Sequence, residues 1–191
     1  MKRIAIFASG SGTNAENLIK FFKNNDKVSV VQVLSNNPNA QVLDRAKRLN
    51  VGTVTFDKKA LIESDEVLNI LKNSQPDLIV LAGFLWKFPK MILDAFPNKV
   101  INIHPALLPK YGGKGMYGKY VHQAVVNNKE TETGITIHYV NEHYDEGAII
   151  FQAKCTVEPN DTFEDVSNKI HELEMEHFPK VVESLLTTKN E

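Results

Sequence analysis

Cysteine is almost missing from this chain: Cys155 stands alone among 191 residues. No intrachain disulfide can form, and no thiolate cluster can gather a metal. Cys155 is expected as a buried strand residue. Long apolar runs are lacking too. None approaches the roughly 20 residues that a membrane span needs. The apolar start, Ile4 to Ala8, is too short for a signal-peptide core. Charge of one sign is not in excess: 22 basic residues face 23 acidic ones, for a net charge of -1. That balance gives no global pull toward nucleic acid or an anionic membrane, and it leaves room for a local phosphate site. A cytoplasmic protein of a reducing compartment is expected, with no nucleic-acid and no membrane partner.

What is present is an ordinary globular composition, 42% hydrophobic and 24% charged. The length suits one domain over residues 1–191, with no repeat, linker or clear internal boundary. Strands are predicted at Lys2–Ala8, Val28–Leu34, Val51–Phe56, Leu78–Ala82 and Val100–His104. Helices are predicted after Asn14 and over Ala40–Leu49, Leu61–Leu71 and Phe88–Phe96. The unbroken run Leu78-Ile79-Val80-Leu81-Ala82 suits a strand buried on both faces of a parallel sheet. This alternation predicts an α/β fold, Rossmann-like and doubly wound, with a mostly parallel sheet. The second half changes character. A glycine-rich irregular stretch, Tyr111–Tyr120, precedes a helix over Val121–Asn127. Two strands, Gly134–Val140 and Ala148–Val157, flank the loop Asn141–Gly147 and are expected to form an antiparallel C-terminal strand pair. Thr162–Leu186 predicts a helical region broken near Pro179.

Gly10, Gly12 and Ala15 fit the loose dinucleotide pattern G-x-G-x-x-[GA], between a strand and a helix. Small residues let a phosphate approach the backbone, and N–H groups at the helix start bind it. A dinucleotide site also wants an acidic residue ending the second strand. That strand ends in Ser35-Asn36-Asn37 instead. A compact, mononucleotide-like phosphate is the favoured reading. A nicotinamide cofactor and a purely structural turn are the alternatives.

Asn102 and His104 alternate onto one face of a strand, with Ile101 and Ile103 on the other. Two polar side chains on a buried strand are costly unless satisfied, at roughly 1–3 kcal/mol per unpaired group. They either satisfy each other and nearby backbone, or they serve a ligand at the carboxyl end of the sheet, where open α/β folds bind. Asp145, in the loop before Gly147, is the carboxylate that would match His104 and raise its pKa. Asn, imidazolium and carboxylate make no nucleophile triad. They suit polarisation of a carbonyl during acyl transfer to an amine.

Through Ser9-Gly10-Ser11-Gly12-Thr13-Asn14, Leu81-Ala82-Gly83-Phe84, Asn102-Ile103-His104-Pro105-Ala106-Leu107-Leu108-Pro109 and Asp145-Glu146-Gly147, the chain resembles the phosphoribosylglycinamide formyltransferase family of folate-dependent enzymes. The resemblance spans nearly the whole chain. It implies transfer of the formyl group of 10-formyltetrahydrofolate, a co-substrate, to the amine of glycinamide ribonucleotide in purine biosynthesis. It implies no metal, two small-molecule substrates, and a monomer or homodimer. By it, Asn102, His104 and Asp145 are the catalytic set. Gly12, Thr13 and Asn14 hold the phosphate, and Glu174 binds the ribose hydroxyls or the glycinamide end. Leu85, Trp86, Lys87, Phe88 and Asn102 flank the folate on one side, and Asn141, Glu142, His143 and Tyr144 on the other. The phosphate-binding half is about 1–100, and the folate and catalytic half about 101–191. Leu85 and Phe88 also fit a core role. His138 reads as a satisfied structural histidine, and His171 and His177 as helix-surface residues.

The chain departs from the family pattern in a longer glycine-rich loop, Tyr111–Val121, and in having no arginine within Asp57–Leu71. Lys58 or Lys59 is the available cation for a folate tail. A formyltetrahydrofolate hydrolase would use the same Asn, His and Asp with water as acceptor, and is expected to carry an N-terminal regulatory domain. A transfer-RNA formyltransferase is expected to add a C-terminal RNA-binding domain and a basic surface. Neither addition is read in this sequence.

Overall fold

The computed structural model describes residues 1–188. A seven-stranded sheet runs in the order β3-β2-β1-β4-β5-β6-β7. The parallel part comprises β1 (Lys2–Phe7), β2 (Val28–Ser35), β3 (Gly52–Thr55), β4 (Leu78–Leu81) and β5 (Val100–His104). Both β6 (Glu132–Tyr139) and β7 (Ile149–Thr156) join it antiparallel. The mostly parallel α/β sheet with an antiparallel C-terminal pair is therefore as the sequence pattern predicts.

Side-chain alternation builds a core on each face of the sheet. Ile4 and Ile6 of β1 join one cluster with Leu78 and Val80 of β4, while Ala5, Phe7, Ile79 and Leu81 join the other. The first face is covered by α1 (Thr13–Phe22), α2 (Gln41–Arg48), α6 (Lys119–Asn127) and α7 (Phe163–Thr187). In α1 the buried residues Ala15, Leu18, Ile19 and Phe22 fall at the i, i+3, i+4, i+7 spacing of one helical face. The second face is covered by α3 (Lys58–Ile62), α4 (Glu66–Ser74) and α5 (Lys90–Ala95). Around Phe7 on that face, the rings of Phe56, Phe84 and Phe88 stand edge-on at 5.7, 5.5 and 5.1 Å.

Three expectations change. The predicted helix Leu61–Leu71 is two helices, α3 and α4, divided at Glu63–Asp65. Cys155 is half-buried on β7 rather than fully buried. The predicted break at Pro179 is absent, for α7 runs 25 residues through it. Proline removes the N–H that would bond the Met175 carbonyl one turn back. Asn17 of α1 fills the vacancy, its Nδ2 donating to the Met175 carbonyl at 2.9 Å. The start of α7 is fixed by a capping box between Thr162 and Asp165.

Candidate active site

Winding reverses between β1 and β4, and open α/β sheets leave a crevice outside the carboxyl ends of such strands. A cavity of about 790 Å³ opens there, within the usual range for small-molecule sites. Its walls come from the turn after β1 (Gly10–Asn14), the segment Ala82–Leu85 after β4, and Asn102–Pro105 of β5. The glycine-rich loop, Tyr144, Asp145 and the first turns of α7 complete it. Since β4 lies between β1 and β5, their ends stand two strand spacings apart, roughly 10 Å.

At β5, register defines the polar cluster. Asn102 pairs with His138 of β6, and His104 with Thr136. Directly opposed residues share a face, so all four side chains point the same way. His104 is 3% exposed. Its Nε2 lies 2.7 Å from the Tyr111 carbonyl, which only accepts, so Nε2 carries the proton and Nδ1 faces Asp145 Oδ2 at 3.6 Å. His138 is ordered by the same logic. Its Nδ1 donates to the Tyr139 carbonyl at 2.8 Å, leaving Nε2 to accept from Asn102 Nδ2 at 3.1 Å. The Asn102 amide is thereby turned so that its NH₂ group also faces Asp145 Oδ1, at 3.5 Å. Asp145 accepts from the Gly113 N–H at 2.9 Å through Oδ2.

The Asp145 backbone is left-handed, at φ 56°. Aspartate tolerates that conformation better than most residues, and here its surroundings constrain it further. Gly147 is one such constraint, since a Cβ there would collide with the Tyr139 carbonyl. The sharp re-entry that Gly147 implies in the sequence is present, and it turns Asp145 inward.

Electrostatics in the cluster oppose one expectation. Burial pushes the His104 pKa down by more than the Asp145 charge and the Tyr111 carbonyl push it up. The ring therefore rests neutral, not as the imidazolium that a nearby carboxylate alone would favour. Burial pushes the Asp145 carboxyl up, but the His138 and His104 rings beside it and the Gly113 N–H together hold it below the ordinary range.

Beside α1 the site has a different character. Gly12 sits at φ 75°, and a Cβ would strike Val42, so the turn can pass close to a ligand only as glycine. The helix begins at Thr13 with no side-chain cap, leaving its first N–H groups available. Asn14 Nδ2 donates to Glu174 Oε2 at 2.9 Å, and His171 Nδ1 stands 3.8 Å from the same oxygen. The Glu174 carboxylate beside it raises the His171 pKa.

The remaining sequence candidates divide by position. Leu85, 48% exposed, lines the cavity with Tyr144. Trp86 and Lys87 are not among the lining residues, and Phe88 is packed into the aromatic core on Phe7. Asn141, Glu142 and His143 are exposed beside the cavity loop without lining it. Lys58 and Lys59 open α3, also outside the lining. Two histidines that sequence reading set aside belong here. His171 lines the cavity, and His138 is satisfied, as expected, but by Asn102 itself. The period-two pattern Thr136-x-His138 was the available signal for a second polar strand face. Its pairing with Asn102 depends on register, which sequence alone leaves open. His122, on the inner side of α6, also lines the cavity. Among the described residues, no group of three or more His, Cys, Asp or Glu side chains converges to hold a metal ion.

The formyl transferase family model matches residues 2–182. A phosphoribosylglycinamide formyltransferase of Haemophilus influenzae is 36% identical over 95% of this chain and 86% of its own length. The enzyme of that name from Bacillus subtilis is 33% identical over 100% and 97%. The chain spans 64% of the length of a chloroplastic relative from Arabidopsis thaliana, at 34% identity over 95% of this chain. The crystal structure of a phosphoribosylglycinamide formyltransferase from Bacillus halodurans superposes with a TM-score of 0.88 at 35% identity, covering 98% of this chain and 96% of that one.

Proposed function

The chain belongs to the formyl transferase family, and from that premise we propose that it moves the formyl group of 10-formyltetrahydrofolate to the amine of glycinamide ribonucleotide, a step of purine biosynthesis. One observation carries the reading. A single cavity is lined both by the Asn102, His104 and Asp145 cluster and by the open helix start at Gly12–Asn14 beside Glu174. Residues 1–191 act as one catalytic unit. Its phosphate-binding elements centre on about 1–100, and its folate and catalytic elements on about 101–191.

The phosphate of the ribonucleotide sits at Gly12, Thr13 and Asn14, against helix N–H groups. The Glu174 carboxylate accepts from the ribose hydroxyls. The folate enters between Leu85 and the Asn141–Tyr144 loop, with the flat pterin along the segment Leu85–Phe88. Its formyl carbon meets the substrate amine beside Asn102 and His104. As the amine attacks, charge gathers on the formyl oxygen, and the Asn102 N–H that makes only a long 3.5 Å contact with Asp145 turns to donate to it. Such fixed donors stabilise an oxyanion far better than water does. Attack leaves the new amine nitrogen positively charged. The neutral His104, its Nδ1 lone pair turned toward Asp145, takes that proton and passes it to the leaving folate nitrogen, with Asp145 balancing the transient imidazolium. The C–N bond to folate then breaks, releasing tetrahydrofolate and the formylated ribonucleotide.

An absorbance assay of folate release tests the reading. Turnover is expected only when glycinamide ribonucleotide is added. Equal folate release without it would mean that water is the acceptor, and the reading would become a hydrolase.

A further inference from the structure

Resting on the proposed reaction, we infer that His122 is a specificity-determining residue that holds the amide carbonyl of glycinamide ribonucleotide through its Nε2–H. The ring lies on the inner face of α6, 5% exposed, and lines the cavity. Its Nδ1 is buried and has no hydrogen-bond partner. A buried polar atom left unpaired costs stability, and native structures rarely carry one without a use. Nothing in the proton transfer proposed above employs this ring.

The orphan nitrogen dictates what the ring can offer. A buried N–H without an acceptor is rarer, and more costly, than a buried acceptor without a donor. The proton therefore resides on Nε2, and Nε2 is the nitrogen left to face the cavity. Charging the ring would place a second N–H at the dry Nδ1 position. Burial accordingly pushes the pKa down, against the pull of Glu174. His122 is thus a fixed, neutral donor that accepts nothing.

Position selects the group it meets. His122 lines the same cavity as the Glu174 carboxylate and the His104 ring. In the proposed complex Glu174 holds the ribose, and His104 meets the amine. Between ribose and amine the substrate carries one amide. Its carbonyl oxygen is the acceptor that a neutral donor suits. An ammonium in that place would meet a second donor and no acceptor. The residue therefore favours an acceptor that presents a carbonyl there over one that presents an ammonium.

The test compares wild type, His122→Phe and His122→Asn by ribonucleotide titration and steady-state kinetics. In His122→Phe the Kd and KM for glycinamide ribonucleotide should rise about tenfold, the size of one hydrogen bond. The KM for 10-formyltetrahydrofolate should stay within about twofold, which also reports that the site is folded. His122→Asn, which keeps a donor, should recover part of the loss. Ribonucleotide binding within about twofold of wild type in His122→Phe overturns the inference, as does a parallel loss for both substrates. Wild type that binds no glycinamide ribonucleotide overturns the proposed reaction instead, so the two failures are separable.

Discussion

Each polar atom in the Asn102 cluster has a geometry that its neighbours enforce. The Tyr111 carbonyl sets the His104 tautomer, and His138 sets the Asn102 amide. With Asn102 as an oxyanion donor and His104 as proton carrier, His104→Ala and Asn102→Ala should each lower kcat by about 10²–10³. Ribonucleotide Kd should change little, and near-normal turnover of His104→Ala would remove that residue from the mechanism. Protonation also marks stability. Burial holds the folded-state pKa of His104 and of His122 below the ordinary histidine value. The unfolded chain takes up those protons below about pH 6.5, while the folded protein resists until lower pH. Stability present above pH 6.5 is therefore lost as pH falls toward the folded-state values. The pKa of His171 is shifted the other way, so its contribution is held at low pH and lost as pH rises. That pair is partly exposed and correspondingly weak. The Tm should drop between pH 7.5 and 5.5, and His122→Asn should reduce the drop. Equal drops in variant and wild type would show that His122 is not buried neutral.

At the scale of elements, α7 is the instructive case. Proline at 179 reads as a helix break, yet α7 is continuous because α1 supplies a donor to the freed Met175 carbonyl. Asn17→Ala should cost about 1–2 kcal/mol by leaving that carbonyl unpaired. With Pro179→Ala, which restores the backbone N–H, the same change should cost under about 0.5 kcal/mol. Chemical denaturation of the four proteins closes this cycle, and additive costs would count against the cross-helix bond. The contact matters to the site as well, because α1 begins with the Gly12–Asn14 turn and α7 carries Glu174. Asn17 to Met175 and Asn14 to Glu174 tie the same two helices one turn apart.

Over the whole molecule, the site is built on the carboxyl ends of the sheet. The turn after β1 and the segment after β4 are linked by Ser9, whose N–H donates to the Gly83 carbonyl at 3.0 Å and whose Oγ accepts from Leu85 N–H at 3.1 Å. Phe7, two residues before Ser9, is fully buried beneath them. Phe7→Ala should cost about 3–5 kcal/mol of stability, read by denaturant unfolding. A loss under about 1 kcal/mol would mean that the aromatic cluster collapses around the gap. The two halves of the chain also interlock at the cavity. Glu174, from the second half, stands beside Asn14, and Leu85, from the first, lines the wall near Tyr144 and Asp145.

Much of this was legible from local pattern. Apolar runs alternating with helical spacing determined the α/β class, because burial on two faces of a parallel sheet demands them. Strand alternation put Asn102 and His104 on one face, and a glycine turn between strand and helix marked one wall of the cavity. What tertiary structure alone decided were matters of register, partner and solvent. His138 joins Asn102 only because β6 pairs at that register. Asp145 reaches His104 only because a left-handed backbone and Gly147 turn its loop inward. His104 rests neutral because burial outweighs its carboxylate neighbour, and α7 survives Pro179 because a distant asparagine completes its ladder. Periodicity is written along the chain. Desolvation and hydrogen-bond partners arise between segments far apart in it, and so they exist only once it has folded.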